Sequence, residues 1–528
     1  MLRRTLVLAA LGGLCLLLLK SDGRTAEPAP APRAVAGSDR FLVEEVKARS
    51  ELMKNLRYLS DEVGGRLTGS ANLEKANKWT AEKMRAYGLE NVRLDPWEIP
   101  YGWQRGKAEM KIVEPDTGRS LLVASRGWVP GTKGRVTGAV VLLKARSKAD
   151  LQGYKGKLKN AVVLLSAPAD VKPVTDLGYG PGGGGKKGPP KKDEPKSEPK
   201  KDEAQRGMPA AREATGVGAG SWRRDELQPG AAFTTELLAF LKEEGVACEV
   251  TDSAKPHGLL VTTGGWGSRD RAAAEAGLAR VFMAHEHYAL LYRLASREKA
   301  VTRVEVEIEN TFVPGPVVVY NTVGEVRGSE KPDEIVVVGA HLDSWELGSG
   351  TTDNGTGSCV VLETARAVAA LAKGGQRPKR TIRFCLFSGE EQGLYGSKKY
   401  VEKYKDQLPK HSVALVHDTG TGKVMGFGTQ GRKSVIPVLE PELEALKALD
   451  GWKGLDTGGL GGTDHLPFEA AGVPGFACRQ EMDEYRLTHH TQSDTFDKAK
   501  EPNLIQGAQV MAVTAVRVAN LPDLLPRK

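Results

Sequence analysis

The sequence predicts an α/β fold: a mixed, largely parallel twisted sheet flanked by helices, with a smaller β-rich domain inserted into it. Three observations lead there. Ile335-Val336-Val337-Val338 is an unbroken β-branched run, the pattern of a strand covered on both faces. From Gly315 onward such runs alternate with helical periodicity. Between about Lys107 and Val313 the texture differs, with strand-like pieces separated by turns.

Taken in order, the chain opens with Arg3 and Arg4, an apolar run from Leu6 to Leu19, and a polar Ala/Pro-rich stretch to Gly37. That is the order of a secretory signal peptide. The run is short for a membrane span. Residues 1–37 therefore read as signal and linker, and the product as exported: periplasmic, cell-surface or extracellular. No stable membrane insertion is expected unless the signal segment is retained. Arg40 to Ser60 carries helical periodicity through Leu42, Val46, Met53 and Leu56. A glycine-rich turn, Val63 to Ser70, leads into a helix over Ala71–Tyr87 that Gly88 stops. Val92–Ile99 reads as a strand.

The expected inserted domain spans 113–312, leaving 38–112 and 313–528 as the two parts of the larger domain. Its strand signals include Gly138–Leu143, Ala161–Leu165, Val281–Ala284 and Val301–Glu309, with helices over Thr234–Glu244 and His285–Glu298. Residues 178–220 are low complexity, first glycine-rich and then rich in Lys, Pro and acids, and read as a disordered loop. Beyond Gly315, strands are expected at Val317–Tyr320, Ile335–Val338, Thr381–Phe387, Val413–Val416 and Val473–Cys478. Helices are expected at Gly357–Leu371, Leu394–Tyr404, Glu440–Leu449 and Leu504–Ala519.

The 75 Lys and Arg against 66 Asp and Glu give a net charge of +9, but much of the lysine lies in the low-complexity stretch. No basic motif with interleaved aromatics stands out, so nucleic acid is not an expected partner. Beyond the signal, Cys248, Cys359, Cys385 and Cys478 fit no zinc-ribbon spacing and read as small buried hydrophobes.

The polar residues at the strand ends carry the chemistry. Ile335–Val338 delivers His341 and Asp343 at its C-terminal edge, where open α/β sheets gather ligand sites. A Gly/Ser/Thr loop then presents Asp353 before a helix. Thr381–Phe387 runs into Glu390-Glu391, and two adjacent acids after a buried strand are costly unless solvated or used. Val413–Val416 ends in His417-Asp418, and His489-His490 lies near the C-terminus. His341, Asp353, Glu390, Glu391, Asp418 and His490 together suit zinc or a related divalent ion. Five ligands serve two ions if one carboxylate bridges, and the spare acid is then a natural general base. Taken singly, His341 reads as a core histidine, Glu390-Glu391 as a solvated helix start and Asp418 as a turn residue.

HLDSWELGSGTTDNGTG from His341, FSGEEQGLYGS from Phe387, HDTGTG from His417, GGTDHLPFEAAGVP from Gly461 and HHTQSDT from His489 resemble, in order, the motifs of the M28 zinc peptidases. HLDSW and the earlier GGRLTGSANLEKA look most like the carboxypeptidase Q-like (plasma glutamate carboxypeptidase-like) branch. The resemblance covers about Arg40 to Ile112 and Phe312 to the C-terminus. It implies a zinc-exopeptidase (phosphorylase/hydrolase-like) fold, with a protease-associated-type domain in the intervening region. By motif, His341 and Asp418 would hold one zinc, Glu391 and His490 the other, and Asp353 would bridge them. Manganese or cobalt could stand in for zinc. Glu390 would be the general base and Asp343 the acceptor behind His341. His490 rather than His489 starts the family's His-Ser/Thr-x-x-Asp-Thr pattern. The family's cis peptide after the bridging acid would fall at Asp353-Asn354. Thr463, Asp464 and His465 are candidates to hold a substrate terminus, and Tyr485 to stabilise the carbonyl, although Asp464 could simply cap the turn into Leu466–Ala470.

The implied function is an exported two-zinc exopeptidase on dipeptides or short peptides with a free terminus, of aminopeptidase or dipeptidase type. Its metal-bridging water would be activated by Glu390, and a homodimer is compatible with it. Two other readings share the fold. A glutaminyl-cyclase-like acyltransferase keeps one zinc, and a receptor-like binding protein loses ligands or the base, whereas here all six residues are present.

Overall fold

The computed structural model describes residues 37–171, 231–266, 268–482 and 484–528. The leader and the low-complexity stretch expected at 178–220 lie outside them. Among the described residues no helix is long and apolar enough to cross a membrane.

The main sheet has eight strands, in the order Glu90–Ile99, Val317–Val326, Arg380–Phe387, Lys331–His341, His411–Val416, Gly475–Gln480, Val424–Gly428 and Leu455–Asp456. Its four central strands, Arg380–Phe387 to Gly475–Gln480 in that order, run parallel. The flanking pairs are antiparallel, apart from the two-residue edge strand Leu455–Asp456. The β-branched run behaves as its composition dictates. Val336, Val338 and Ala340 pack on one side with the helices Thr356–Lys373 and Glu501–Asn520. Ile335 and Val337 pack on the other with Tyr400 and Phe468. Both faces are covered, so every residue of Arg380–Phe387 and His411–Val416 is buried.

The helix Ala71–Tyr87 starts where Ser70 Oγ accepts the Leu73 N–H and stops at Gly88, whose φ of 89 only glycine adopts freely. Two expected helices differ. Arg40–Ser60 is broken into Gly37–Arg49, Leu52–Arg57 and a wide turn Tyr58–Val63, because Ser50 and Glu51 interrupt the hydrogen-bond ladder and Glu51 N–H instead donates to Glu363. Glu440–Leu449 winds as tight 3-10 turns over Glu440–Ala448, kinked at Leu443, with Pro441 removing a donor near its start.

A second eight-stranded sheet is built from segments between Gly102 and Val313. The strand Gly102–Glu114 pairs along its length with Arg303–Val313, starting at Gly102 opposite Val313. It therefore belongs to this sheet and not, as the expected boundary at 113 has it, to the larger domain. All four described cysteines are buried and free.

Candidate metal centre

The parallel register fixes where the polar residues emerge. His341 lies opposite Phe387, and Gly339 opposite Val416, so three adjacent strands end at nearly one level. His341 then closes its strand while Glu390, Glu391 and Asp418 lie just past theirs. The Asp353 turn, Thr351–Gly355, sits over this edge and contains the cis peptide Asp353–Asn354. Asn354 secures it by donating to the His417 carbonyl at 2.9 Å and accepting the Gly357 N–H at 2.9 Å. Asp494 accepts the N–H groups of Thr352 and Asp353.

The site reads as a row. Asp418 Oδ1 lies 3.2 Å from His341 Nε2, and His341 Nε2 lies 3.4 Å from Asp353 Oδ1. Asp353 Oδ2 lies 3.4 Å from His490 Nε2, and His490 Nε2 lies 2.9 Å from Glu391 Oε2. Asp353 thus faces both histidines with different oxygens. His489 also approaches it, at 3.7 Å, and stacks on the His490 ring. His490 differs in touching Glu391 as well.

His341 Nδ1 lies 2.9 Å from the main-chain carbonyl of Asp343 and 3.7 Å from its carboxylate. The carbonyl therefore fixes the Nδ1–H tautomer and leaves Nε2 for the site. The Asp343 carboxylate instead takes the N–H groups of Glu390 and Glu391 and the Thr68 hydroxyl.

The charges are strongly perturbed. Burial pushes the carboxyls of Glu390 and Glu391 well above the ordinary range; Asp418 adds to the push on Glu390, and Asp353 to that on Glu391. Asp353 is held below its usual range despite burial, because His341, His489 and His490 surround it. Burial lowers His490 to about 4, leaving the ring neutral and able to act as a ligand. Asp353 Oδ2 and Glu391 Oε1 are buried without a hydrogen-bond partner. Crowded carboxylates, a neutral His490 ring and orphaned oxygens fit a divalent cation, because the cation supplies the charge and contacts they lack. His341, Asp353 and Asp418 converge tightly enough for one ion, as do Asp353, His489 and His490.

The other expected residues lie around this row. Asp464 is fully buried and accepts from Ser397, while its Oδ2 has no partner; burial raises it to about 7. It does not cap Leu466–Ala470, whose first turn has no side-chain cap. Thr463 accepts the Asp464 N–H, and His465 packs against the Gln430 amide. Tyr485 feels Asp353, Asp418 and Glu391, and its hydroxyl is driven well above its ordinary value, chiefly by burial.

Two residues were not singled out from the sequence. Arg66, fully buried, donates to the carbonyls of Leu342, Gly64, Ser349 and Gly350 at 2.7–3.0 Å and so ties down the loop between His341 and Asp353. Gly350 leaves space for both Ser344 and Arg66: φ is 62, and a Cβ there would lie 2.1 Å from Ser344 Oγ and 3.0 Å from Arg66 Nη2. Arg66 sits in the glycine-rich Val63–Ser70 segment, which reads locally as a turn. Lys255, from the second-sheet region, donates to the His489 carbonyl at 2.6 Å, and no motif marks it.

The sequence pattern of Peptidase family M28 matches residues 321–515. Carboxypeptidase Q of Mus musculus is 28% identical over 486 residues, covering 91% of this chain and 88% of that protein. A Peptidase M28 precursor from Shewanella amazonensis superposes with a TM-score of 0.69 at 25% identity, over 92% of this chain and 97% of the other. BSAP, a zinc aminopeptidase from Bacillus subtilis, shares the fold with a TM-score of 0.56 at 18% identity, over 88% and 93% of the two chains. With the row of acids and histidines at the strand ends, these likenesses relate the chain to the M28 peptidases over residues 321–515 and, across nine-tenths of its length, to carboxypeptidase Q, and they support a peptidase.

Proposed function

We propose that the chain is an exported two-zinc exopeptidase that hydrolyses dipeptides or short peptides bearing a free terminus. One observation carries the reading. Asp353 offers one oxygen toward His341 and Asp418 and the other toward His490 and Glu391. Two donor sets that share one carboxylate are what a pair of ions requires. His341 and Asp418 would hold one zinc, Glu391 and His490 the other. Zinc, when bound, supplies charge neutralisation and Lewis-acid polarisation of the scissile carbonyl.

The chain's own groups do the rest. Glu390 is the acid left over from the ligand sets, and it faces His341 and Asp418 closely enough to feel both charges. It takes the proton from the attacking water and returns it to the leaving amine. Asp343 sets its position through the Glu390 N–H. The Tyr485 hydroxyl, kept protonated, donates toward the oxygen that becomes negative. Asp464, with its unpartnered Oδ2, and its neighbours Thr463 and His465 hold the substrate's free end.

The test is amino-acid release from a panel of unblocked dipeptides, with a chelator control and with N-blocked and C-blocked versions. Chelator-sensitive release is expected, and the block that stops it names the terminus being read. No release from metal-loaded protein would sink the proposal.

A further inference from the structure

His490 stands at φ 60, in the left-handed region, which a residue other than glycine occupies only when its surroundings impose it. Part of what imposes it comes from the second sheet. The segment that follows the strand Cys248–Asp252 runs along the His489–Gln492 loop. Val261 bridges Thr491 in antiparallel fashion. Thr262 N–H donates to the His490 carbonyl at 2.9 Å, and Lys255 Nζ to the His489 carbonyl at 2.6 Å. Leu260 N–H donates to Gln492 Oε1 at 2.8 Å, and Gln492 Nε2 returns a bond to the Gly258 carbonyl at 3.0 Å. The segment is itself anchored: Asp252 accepts the Ala254 N–H, and Ser253 accepts the Val261 N–H.

The carbonyls of two consecutive histidines are thus gripped from another sheet. Releasing them frees the His490 peptide to leave its left-handed conformation, which swings the ring away from Asp353 and Glu391. We propose that residues 253–262 are the positioning element for His490, with Lys255, Thr262 and Gln492 as its grips, so that the Glu391–His490 metal position forms only while the second sheet is docked on this loop. The proposal rests on the two-zinc reading above.

The experiment compares zinc uptake by full-length wild type, Lys255→Met, Gln492→Leu and the double variant, using competition with a chromogenic chelator. Wild type is expected to take up two equivalents. The double variant should bind one of them about 10–100-fold more weakly, the scale typical when a supporting contact behind a ligand is lost. The other equivalent should keep its affinity. Lys255→Arg, which retains a donor, should recover most of the loss. Thermal unfolding of the metal-free proteins separates positioning from general damage: the variants should unfold close to wild type without metal and gain less on adding zinc. If the double variant does not fold, each single variant carries the same comparison. Two equivalents held with wild-type affinity in the variants would overturn the proposal. Uptake of a single equivalent by wild type would overturn the two-zinc reading, before any variant is compared.

Discussion

The Asp343 carboxylate accepts two consecutive main-chain N–H groups, those of Glu390 and Glu391, at 3.3 Å each. One side chain therefore sets the position of both the proposed base and a proposed ligand. Asp343→Ala leaves both N–H groups without their acceptor. We expect kcat to fall about 10–100-fold together with metal affinity. Steady-state kinetics and metal analysis on one preparation check it, and a loss confined to KM would contradict it.

Glu390→Gln keeps the shape and removes the base. Turnover should fall about 10²–10⁴-fold while zinc content stays at the wild-type level. Retention of substantial activity would take Glu390 out of the proton-transfer role.

His490→Ala should lower metal content more than His489→Ala, because only the His490 ring also meets Glu391, at 2.9 Å. Metal analysis after gel filtration decides between them, and the reverse order would move the ligand to His489.

Arg66→Met strands the buried carbonyls of Leu342, Ser349 and Gly350. The expected loss is on the order of 3 kcal/mol in urea unfolding, since buried acceptors left unpaired cost about 1–3 kcal/mol each and relax in part. A loss below about 1 kcal/mol would mean that this loop is held by other contacts.

His411 supplies a pH dependence away from the metal centre. It is fully buried between the Tyr400 hydroxyl and the Gln407 carbonyl, and burial lowers it to about 4. The folded value lies below the unfolded one, so the unfolded chain binds the proton more tightly. The contribution of His411 to stability is fully present above about pH 6.5 and is lost as pH drops toward 4, amounting to about 3 kcal/mol. His411→Gln should flatten that limb of the stability curve, and an unchanged slope would remove His411 as its source.

The sheet was legible because its signals are local. Ile335–Val338, Thr381–Phe387 and Val413–Val416 are apolar runs bounded by breakers, and each appears as a strand covered on both faces. The acids and histidines that meet in the site were legible because each stands at the end of such a run or inside a recognisable motif. Val424–Gly428 was not, since Gly426 and Gly428 dilute the strand pattern that pairing with Gly475–Gln480 makes good. The grip of Arg66 on four carbonyls was hidden for another reason. Its partners are backbone groups, which carry no residue identity, and three of them lie more than 270 positions away. Lys255 is the same case, its partner being the His489 carbonyl, 234 positions away.

The strand Glu90–Ile99 pairs antiparallel with Val317–Val326, with Ile99 opposite Val317. Two strands so joined would ordinarily be connected by a tight turn, and here the whole second sheet occupies that place. Its first and last strands are hydrogen-bonded neighbours, Gly102 opposite Val313, so once it has formed its two ends leave side by side. To the larger sheet, residues 100–316 then count as a short hairpin connection, and the entropy of closing so long a loop is met within the second sheet's own assembly.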